Sequence, residues 1–261
     1  MELNRSRKKV LIKRIIGYLL LFFIPILLTA TIIYFYDNLS SKSNIEEKSK
    51  QKKEKAKEET EEPVESVEPY NNELPEVRTN YNNQNIMARI EIPNMNINNY
   101  VTRTTDNSYY LNYSLYNTYD QIGAPFFDYR NTNLNSDKQL NIYAHNTQNE
   151  AIYDRLPFIN LEKYTDEATF NSNKDIYLYI DERKVHYKVI AIKIITTDIE
   201  HMKVSFDSDS DFVNHADKLL ANSLYRDTSE KITKKDRLLV LQICHYDPMN
   251  SYLLVIAKET K

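Results

Sequence analysis

Apolar and polar positions divide the chain into three unlike parts. From residue 15 to residue 36 no charged residue occurs, and Leu, Ile and Phe dominate. As a helix rising about 1.5 Å per residue this stretch reaches roughly 33 Å, enough for a hydrocarbon core of about 30 Å. It predicts a transmembrane helix over 15–36, in which Pro25 is tolerable as a kink. The run is longer than a usual signal-peptide core and no Ala-x-Ala-like cleavage site follows it, so the helix is expected to remain as an anchor. Residues 37–85 lack apolar periodicity. Ser40 to Glu68 is almost all Lys, Glu and Ser, a Tyr- and Asn-rich passage follows, and the whole reads as a charged linker. Pairs such as Glu47 with Lys50 and Glu54 with Lys57 support a transient exposed helix there. At Ile86 short apolar runs set in and continue through residue 261, a length sufficient for one domain.

Within 86–261 strand patterns prevail. Ile90, Ile92 and Ile97 mark a strand-like stretch broken at Pro93, and Ala124 to Tyr129 and Leu140 to Ala144 read as further strands. Asp175 to Ile180 runs through Asp181-Glu-Arg-Lys184 into a return strand. There polar Lys184, His186 and Lys188 alternate with apolar Val185, Tyr187 and Val189, as a half-buried hairpin strand requires. Phe212, Ala216, Leu219, Leu220 and Ser223 fall on one helical face between Asp209 and Leu224, with Asp209 or Asp211 as the expected cap. Leu238 to Leu241 and Leu253 to Ala257 are nearly continuous apolar runs, the pattern of central strands buried on both faces.

Charge orients the chain. Arg5, Arg7, Lys8, Lys9, Lys13 and Arg14 precede the apolar span and acidic residues follow it, so residues 1–14 are expected in the cytoplasm and everything after Tyr36 outside. A net charge of -3 and the lack of a reader motif set nucleic-acid binding aside. Of the two glycines only Gly123 lies beyond the span, so Asn and Asp must supply most turns. Cys244 is the only cysteine, which excludes an intramolecular disulfide and leaves a buried small hydrophobe or a reactive thiol.

Cys244 ends the run from Leu238 and is followed by His245-Tyr-Asp-Pro248, where a buried strand meets a loop. A free thiol outside the cell is unusual. With an ordinary pKa of about 8.5 it needs a histidine or a cation nearby to act as a nucleophile. Of the five histidines, His186 and His215 read as solvent-side residues and His201 falls in a loop with no patterned neighbour. His245, next to Cys244 on a strand, would point to the opposite face. His145 closes the run from Leu140 and is followed by Asn146-Thr147, a second strand-to-loop junction, and the two junctions together make a Cys–His site. No metal-ligand spacing, phosphate loop or dinucleotide fingerprint occurs, so neither a metal nor a cofactor is expected. The many tyrosines read as sheet and surface aromatics.

Five segments, by their order and spacing, resemble the sortases and within them class B. They are Asp106-Asn-Ser-Tyr-Tyr-Leu111, Gly123-Ala-Pro-Phe-Phe-Asp-Tyr-Arg-Asn131, Asn141-Ile-Tyr-Ala-His-Asn146, Ser223-Leu-Tyr225 and Asp236-Arg-Leu-Leu-Val-Leu-Gln-Ile-Cys244. The resemblance covers Ile86 to Lys258, and the helix-bearing stretch before Ser223 resembles the class B insertion. It implies a mainly β fold: an eight-stranded barrel with flanking helices, held at the outer face of a Gram-positive-type cell membrane by the N-terminal helix. It also implies a cysteine transpeptidase. Cys244 would cleave a C-terminal sorting signal of a secreted protein through a thioester, and an amine of a peptidoglycan precursor or pilin would resolve it. His145 would serve as acid and base, with only a minority of molecules holding the thiolate–imidazolium pair.

Two departures bear on activity. Family members carry an arginine on the strand after the cysteine, and the corresponding run here is Tyr252-Leu-Leu-Val-Ile-Ala-Lys258, which puts Tyr252 at that position. A phenol donates one hydrogen bond and brings neither fixed charge nor a bidentate fork. Ile243 stands where a hydroxyl residue commonly precedes the cysteine. Arg237, seven residues ahead of Cys244 on an extended strand, would lie roughly 23 Å away, while Arg130 and Arg226 are other candidate donors. The missing arginine makes a sortase-like binding or scaffolding protein the main alternative to an enzyme. A papain-like hydrolase fits poorly, since that family runs cysteine before histidine with a Trp beside the cysteine and this chain has no Trp. A plain surface adhesin using its tyrosines would be indifferent to loss of Cys244.

Overall fold

Alternation of apolar and polar positions becomes alternation of burial in β1 (Ile86–Ile92), where every second residue from Ile86 is buried. The computed structural model describes residues 70–196 and 202–260, all in a unit spanning Glu65–Lys261. The expected membrane span over 15–36, the linker up to residue 69 and His201 lie outside the described residues. Among the described residues no helix is long and apolar enough to cross a membrane.

After β1 come β2 (Ile97–Thr102), β3 (Phe126–Phe127), β4 (Gln139–Ala144), β5 (Asp175–Ile180), β6 (Arg183–Ile195), β7 (Tyr225–Arg226), β8 (Leu238–His245) and β9 (Ser251–Glu259). The α-helices are α1 (Leu74–Asn80), α2 (Glu167–Ser172) and α3 (Asp209–Leu220). Strand order is β5-β1-β2-β3-β4-β8-β9-β6, and β5 also pairs with β6. Eight strands thus close into a barrel, which removes exposed sheet edges. The two-residue β7 pairs only with β6. Most neighbours are antiparallel, but β2 pairs with β3 and β4 with β8 in parallel.

The barrel interior is filled from alternate positions: Leu140, Ile142 and Ala144 of β4, Leu239, Leu241 and Ile243 of β8, and Leu253, Val255 and Ala257 of β9. A 3₁₀ segment, Ile159–Thr165, adds Leu161 and Tyr164 to this core, with Phe158 just before it. The opposite parity of β8 and β9, Leu238, Val240, Leu254 and Ile256, packs outward against Phe212, Ala216, Leu219 and Leu220 of α3. Both strands are therefore covered on both faces, which accounts for their unbroken apolar runs.

Four local expectations are corrected. The run Ala124 to Tyr129 is a strand only at Phe126–Phe127, because Pro125 has no amide to donate and Asp128 folds back to accept from the Arg130 main chain at 3.0 Å. The cap of α3 is Ser208, whose hydroxyl accepts from the Asp211 amide at 3.1 Å, rather than Asp209 or Asp211. His215 is buried, not solvent-side, because its ring meets the Gln139 amide oxygen at 2.9 Å under α3. Packing also begins ahead of Ile86. Leu74 and Val77 of α1 are buried with it, and the Arg78 Nε–H donates to its carbonyl at 2.7 Å. Two apolar side chains in so short a helix are too few to register as periodicity.

The turns follow the composition. Every non-glycine residue with positive φ among the described residues is Asn or Asp: Asn82, Asn96, Asn117, Asp181, Asn222 and Asn250. Gly123, at φ 67°, has a second constraint, since a Cβ there would collide with the Tyr110 carbonyl oxygen. Gly123→Ala is expected to cost about 2 kcal/mol or more. Leu241→Ala, which opens a cavity in the barrel wall, is expected to cost about 2–5 kcal/mol. Urea midpoints at constant slope measure both.

Candidate active site

Parallel pairing sets the site. In the β4–β8 ladder Ala144 is the partner of Ile243, so one further step brings His145 beside Cys244. In the antiparallel β8–β9 ladder Cys244 is itself the partner of Tyr252. Cys244 and Tyr252 therefore sit at one level of neighbouring strands about 4.8 Å apart, and His145, the first residue past the end of β4, completes the row from the exit of the third strand. Strand alternation gives Cys244 and Tyr252 one face. Cys244 and Tyr252 share the outward parity of Val240 and Leu254. The Tyr252 ring packs against this outer cluster. Strand β8 continues to His245, so that side chain takes the opposite face from Cys244, as its position in the run requires.

Burial governs protonation in the row. It pushes the Cys244 thiol up, against hydrogen bonds from the main-chain amides of Asn146 and of Cys244 itself, which pull the other way. It pushes the half-buried His145 imidazole down. Both shifts favour the uncharged partners, so the resting pair is a thiol and a neutral imidazole. The Tyr246 phenol is raised too, first by burial and then by the neighbouring Cys244 and Glu162.

A polar network ties the two strand exits together on the other side of the row. The Asn146 amide nitrogen donates to the Cys244 carbonyl at 2.7 Å and to Glu162 Oε1 at 2.9 Å. Glu162 Oε2 lies 2.8 Å from His245 Nδ1. A carboxylate only accepts, so His245 Nδ1 carries the proton. The Tyr246 hydroxyl donates to the Asn146 carbonyl at 2.9 Å, and Asn146 Oδ1 accepts from the Thr147 amide at 2.8 Å.

No family model matches the chain. It is 27% identical over 162 residues to sortase B of Listeria monocytogenes, a match covering 62% of this chain and 63% of that protein. With sortase B of Staphylococcus aureus it is 24% identical over 181 residues, or 69% and 72% of the two chains. The X-ray structure of Clostridium perfringens sortase B aligns with a TM-score of 0.64 at 25% identity, covering 72% of this chain and all of that one. The chain is a homologue of the class B sortases.

In this sortase homologue the other candidates fall elsewhere. His186 bonds Asp175 at 2.7 Å and Thr260 at 3.0 Å on the outside of the β5–β6 hairpin. Arg237, just before β8, bonds Glu259 at 2.7 Å and the carbonyls of Asp137 and Leu134, at the opposite end of the strand from Cys244. Arg226 on β7 is in register with Ala191 and, through it, Ile256, about 13 Å along the strands from the Tyr252 level. The Nε and Nη2 atoms of Arg130 are taken by Asp128 and the Met202 carbonyl. Buried Asp128 also accepts from the Tyr143 hydroxyl at 2.8 Å, two positions before His145 on the same face. Burial alone would raise its carboxyl, but the Arg130 and Tyr143 hydrogen bonds outweigh that and hold it below the usual range.

Sequence reasoning did not single out Asn146, Glu162 or Tyr246. The first and last flank the chosen pair and were legible only as loop neighbours. Glu162 carried no signal, being one acidic residue among many. Alkylation of Cys244 by iodoacetamide is expected to be slower at pH 7 than that of a free thiol, and to rise with a midpoint above about 8.5. Rates followed by mass spectrometry check this, and a midpoint below neutrality would mean a standing ion pair instead.

Proposed function

We propose that the protein is a sortase-type cysteine transpeptidase, anchored by a helix over 15–36 with its N-terminus in the cytoplasm and its barrel outside the cell. The observation that supports the reading is the register of β4, β8 and β9, which pairs Cys244 with Tyr252 and Ile243 with the residue before His145, so that the three candidates fall in one row. Homology to the class B sortases supports the reaction class.

The chemistry follows from that row. Proton transfer from Cys244 to His145 gives a thiolate, whose sulfur attacks a backbone carbonyl carbon in a C-terminal sorting signal and makes the carbonyl oxygen an anion. As the anion collapses, the C–N bond breaks, His145 protonates the departing amine, and a thioester to Cys244 remains. An amine on a peptidoglycan precursor or pilin then loses its proton to His145, attacks the thioester and regenerates the thiol. No cofactor enters this sequence. Tyr252 takes the position of the family's arginine and offers the anion one hydroxyl donor. Loss of one such donor costs enzymes roughly 3–4 kcal/mol of transition-state stabilisation, so turnover is slow.

The second reading is a catalytically impaired sortase-like protein that binds or scaffolds the same clients. It is favoured by the phenol opposite Cys244 and by the burial that keeps the thiol protonated. Mass spectrometry of the outer domain mixed with a library of sorting-signal peptides separates the two. The enzyme gives an acyl adduct that Cys244→Ala abolishes, and a protein that binds peptides without ever forming the adduct is the scaffold. In the enzyme, Tyr252→Arg is expected to raise kcat/KM about 10²-fold, measured as release of the leaving peptide, with little change in peptide affinity.

A further inference from the structure

We infer that Glu162 is a positioning residue, which clamps the loop after His145 onto the strand end that carries Cys244 by bridging Asn146 and His245. This deepens the transpeptidase reading and takes the role of Cys244 from it. Glu162 lies in the 3₁₀ segment Ile159–Thr165, whose neighbours Leu161 and Tyr164 are fully buried in the barrel core. The carboxylate is thus mounted on a wedge that cannot slide without emptying the core. Its two oxygens are divided, with Oε1 on the Asn146 amide at 2.9 Å and Oε2 on His245 Nδ1 at 2.8 Å. Asn146 is 2% exposed and His245 7%, while the Glu162 side chain is 23% exposed, so both bonds are partly shielded from competing water.

The bridge spans the two junctions that must stay aligned. Asn146 directly follows His145, and His245 directly follows Cys244. Asn146 uses its second amide hydrogen on the Cys244 carbonyl at 2.7 Å, and its own carbonyl accepts from Tyr246 at 2.9 Å. Every polar group of its side chain is committed. With the side chain fixed, the Asn146 backbone is held beside Cys244, and its amide draws the thiol pKa down against burial. Beyond strand end β4 nothing in the ladder holds His145 in register with Cys244, because the pairing stops at Ala144 and Ile243. The clamp takes over where the ladder ends.

The test reads thiol chemistry, which needs no sorting peptide. The groups around the thiol that titrate or carry charge are His145, Tyr246, Tyr252 and, through Asn146, Glu162. In the outer domain, Glu162→Ala is expected to lower the iodoacetamide alkylation rate of Cys244 at pH 7 about tenfold and to move the pH midpoint up by about one unit. Glu162→Gln can still accept from Asn146 and donate to the other tautomer of His245, so it should stay within about threefold of the wild type. Glu162→Asp keeps the charge but is one methylene too short to reach both donors, and is expected to follow Ala; it also serves if the Ala variant fails to fold. Exposed Glu150→Ala is the control. Wild-type pH profiles for both Ala and Asp variants, or a Gln variant as impaired as Ala, would overturn the positioning role even if melting temperatures fall. Absence of any acyl adduct in the wild type would instead sink the transpeptidase reading and leave this result standing.

Discussion

Everything at the site depends on the parallel pairing of β4 with β8. Those strands are far apart in the chain, and only closure of the barrel makes them neighbours. In a parallel ladder both strands run out at the same end, so their terminal residues emerge side by side. His145 is the first residue past β4 and Cys244 the last but one of β8, and the antiparallel return of β9 adds Tyr252 to the level of Cys244. Because side chains alternate strictly along each strand, a slip of one residue in β8 would turn Cys244 into the core and Ile243 out to the row. The filling of the barrel by Leu239, Leu241 and Ile243, and of the outer layer by Leu238 and Val240 under α3, holds that register from both faces.

Placement and electrostatics pull in different directions. The packing that aligns the row also removes water from it, and burial moves the thiol up and the imidazole down. Such a site is stable as neutral partners and reactive only in the fraction that transfers the proton. Main-chain amides around the sulfur partly offset this, and the Asn146–Glu162–His245 network lies beside them at the strand ends. Reactivity here is tuned by fixed dipoles and hydrogen bonds more than by any adjacent formal charge.

That balance makes the residue opposite Cys244 important. A guanidinium would bring a permanent charge and two parallel donors, while the Tyr252 phenol brings one donor and rests its ring on the outer apolar cluster. Two of the candidate arginines are engaged elsewhere, Arg130 with Asp128 and Met202 and Arg237 with Glu259 at the far end of β8, and Arg226 lies about 13 Å along the strands from Tyr252. The strands thus follow the sortase B fold, with a phenol rather than a guanidinium paired with Cys244. Slow catalysis and pure binding are the two functional readings proposed for that pairing.

Much of this was legible along the chain. Period-two patterning marked the β5–β6 hairpin, unbroken apolar runs marked β8 and β9 as central, and the scarcity of glycine foretold turns built on Asn and Asp, as Asn96, Asp181 and Asn250 bear out. These are local properties, each set by the residues of one segment against water. The choice of His145 and Cys244 also came from local signs, two strand ends meeting loops. What the sequence could not supply was who neighbours whom. His215 looked solvent-side until α3 closed over Gln139, α1 lacked enough apolar positions to announce itself, and Glu162 had nothing to set it apart until the barrel carried it to Asn146 and His245. Contacts between distant segments depend on barrel closure and strand order, which the pattern within any one segment does not encode.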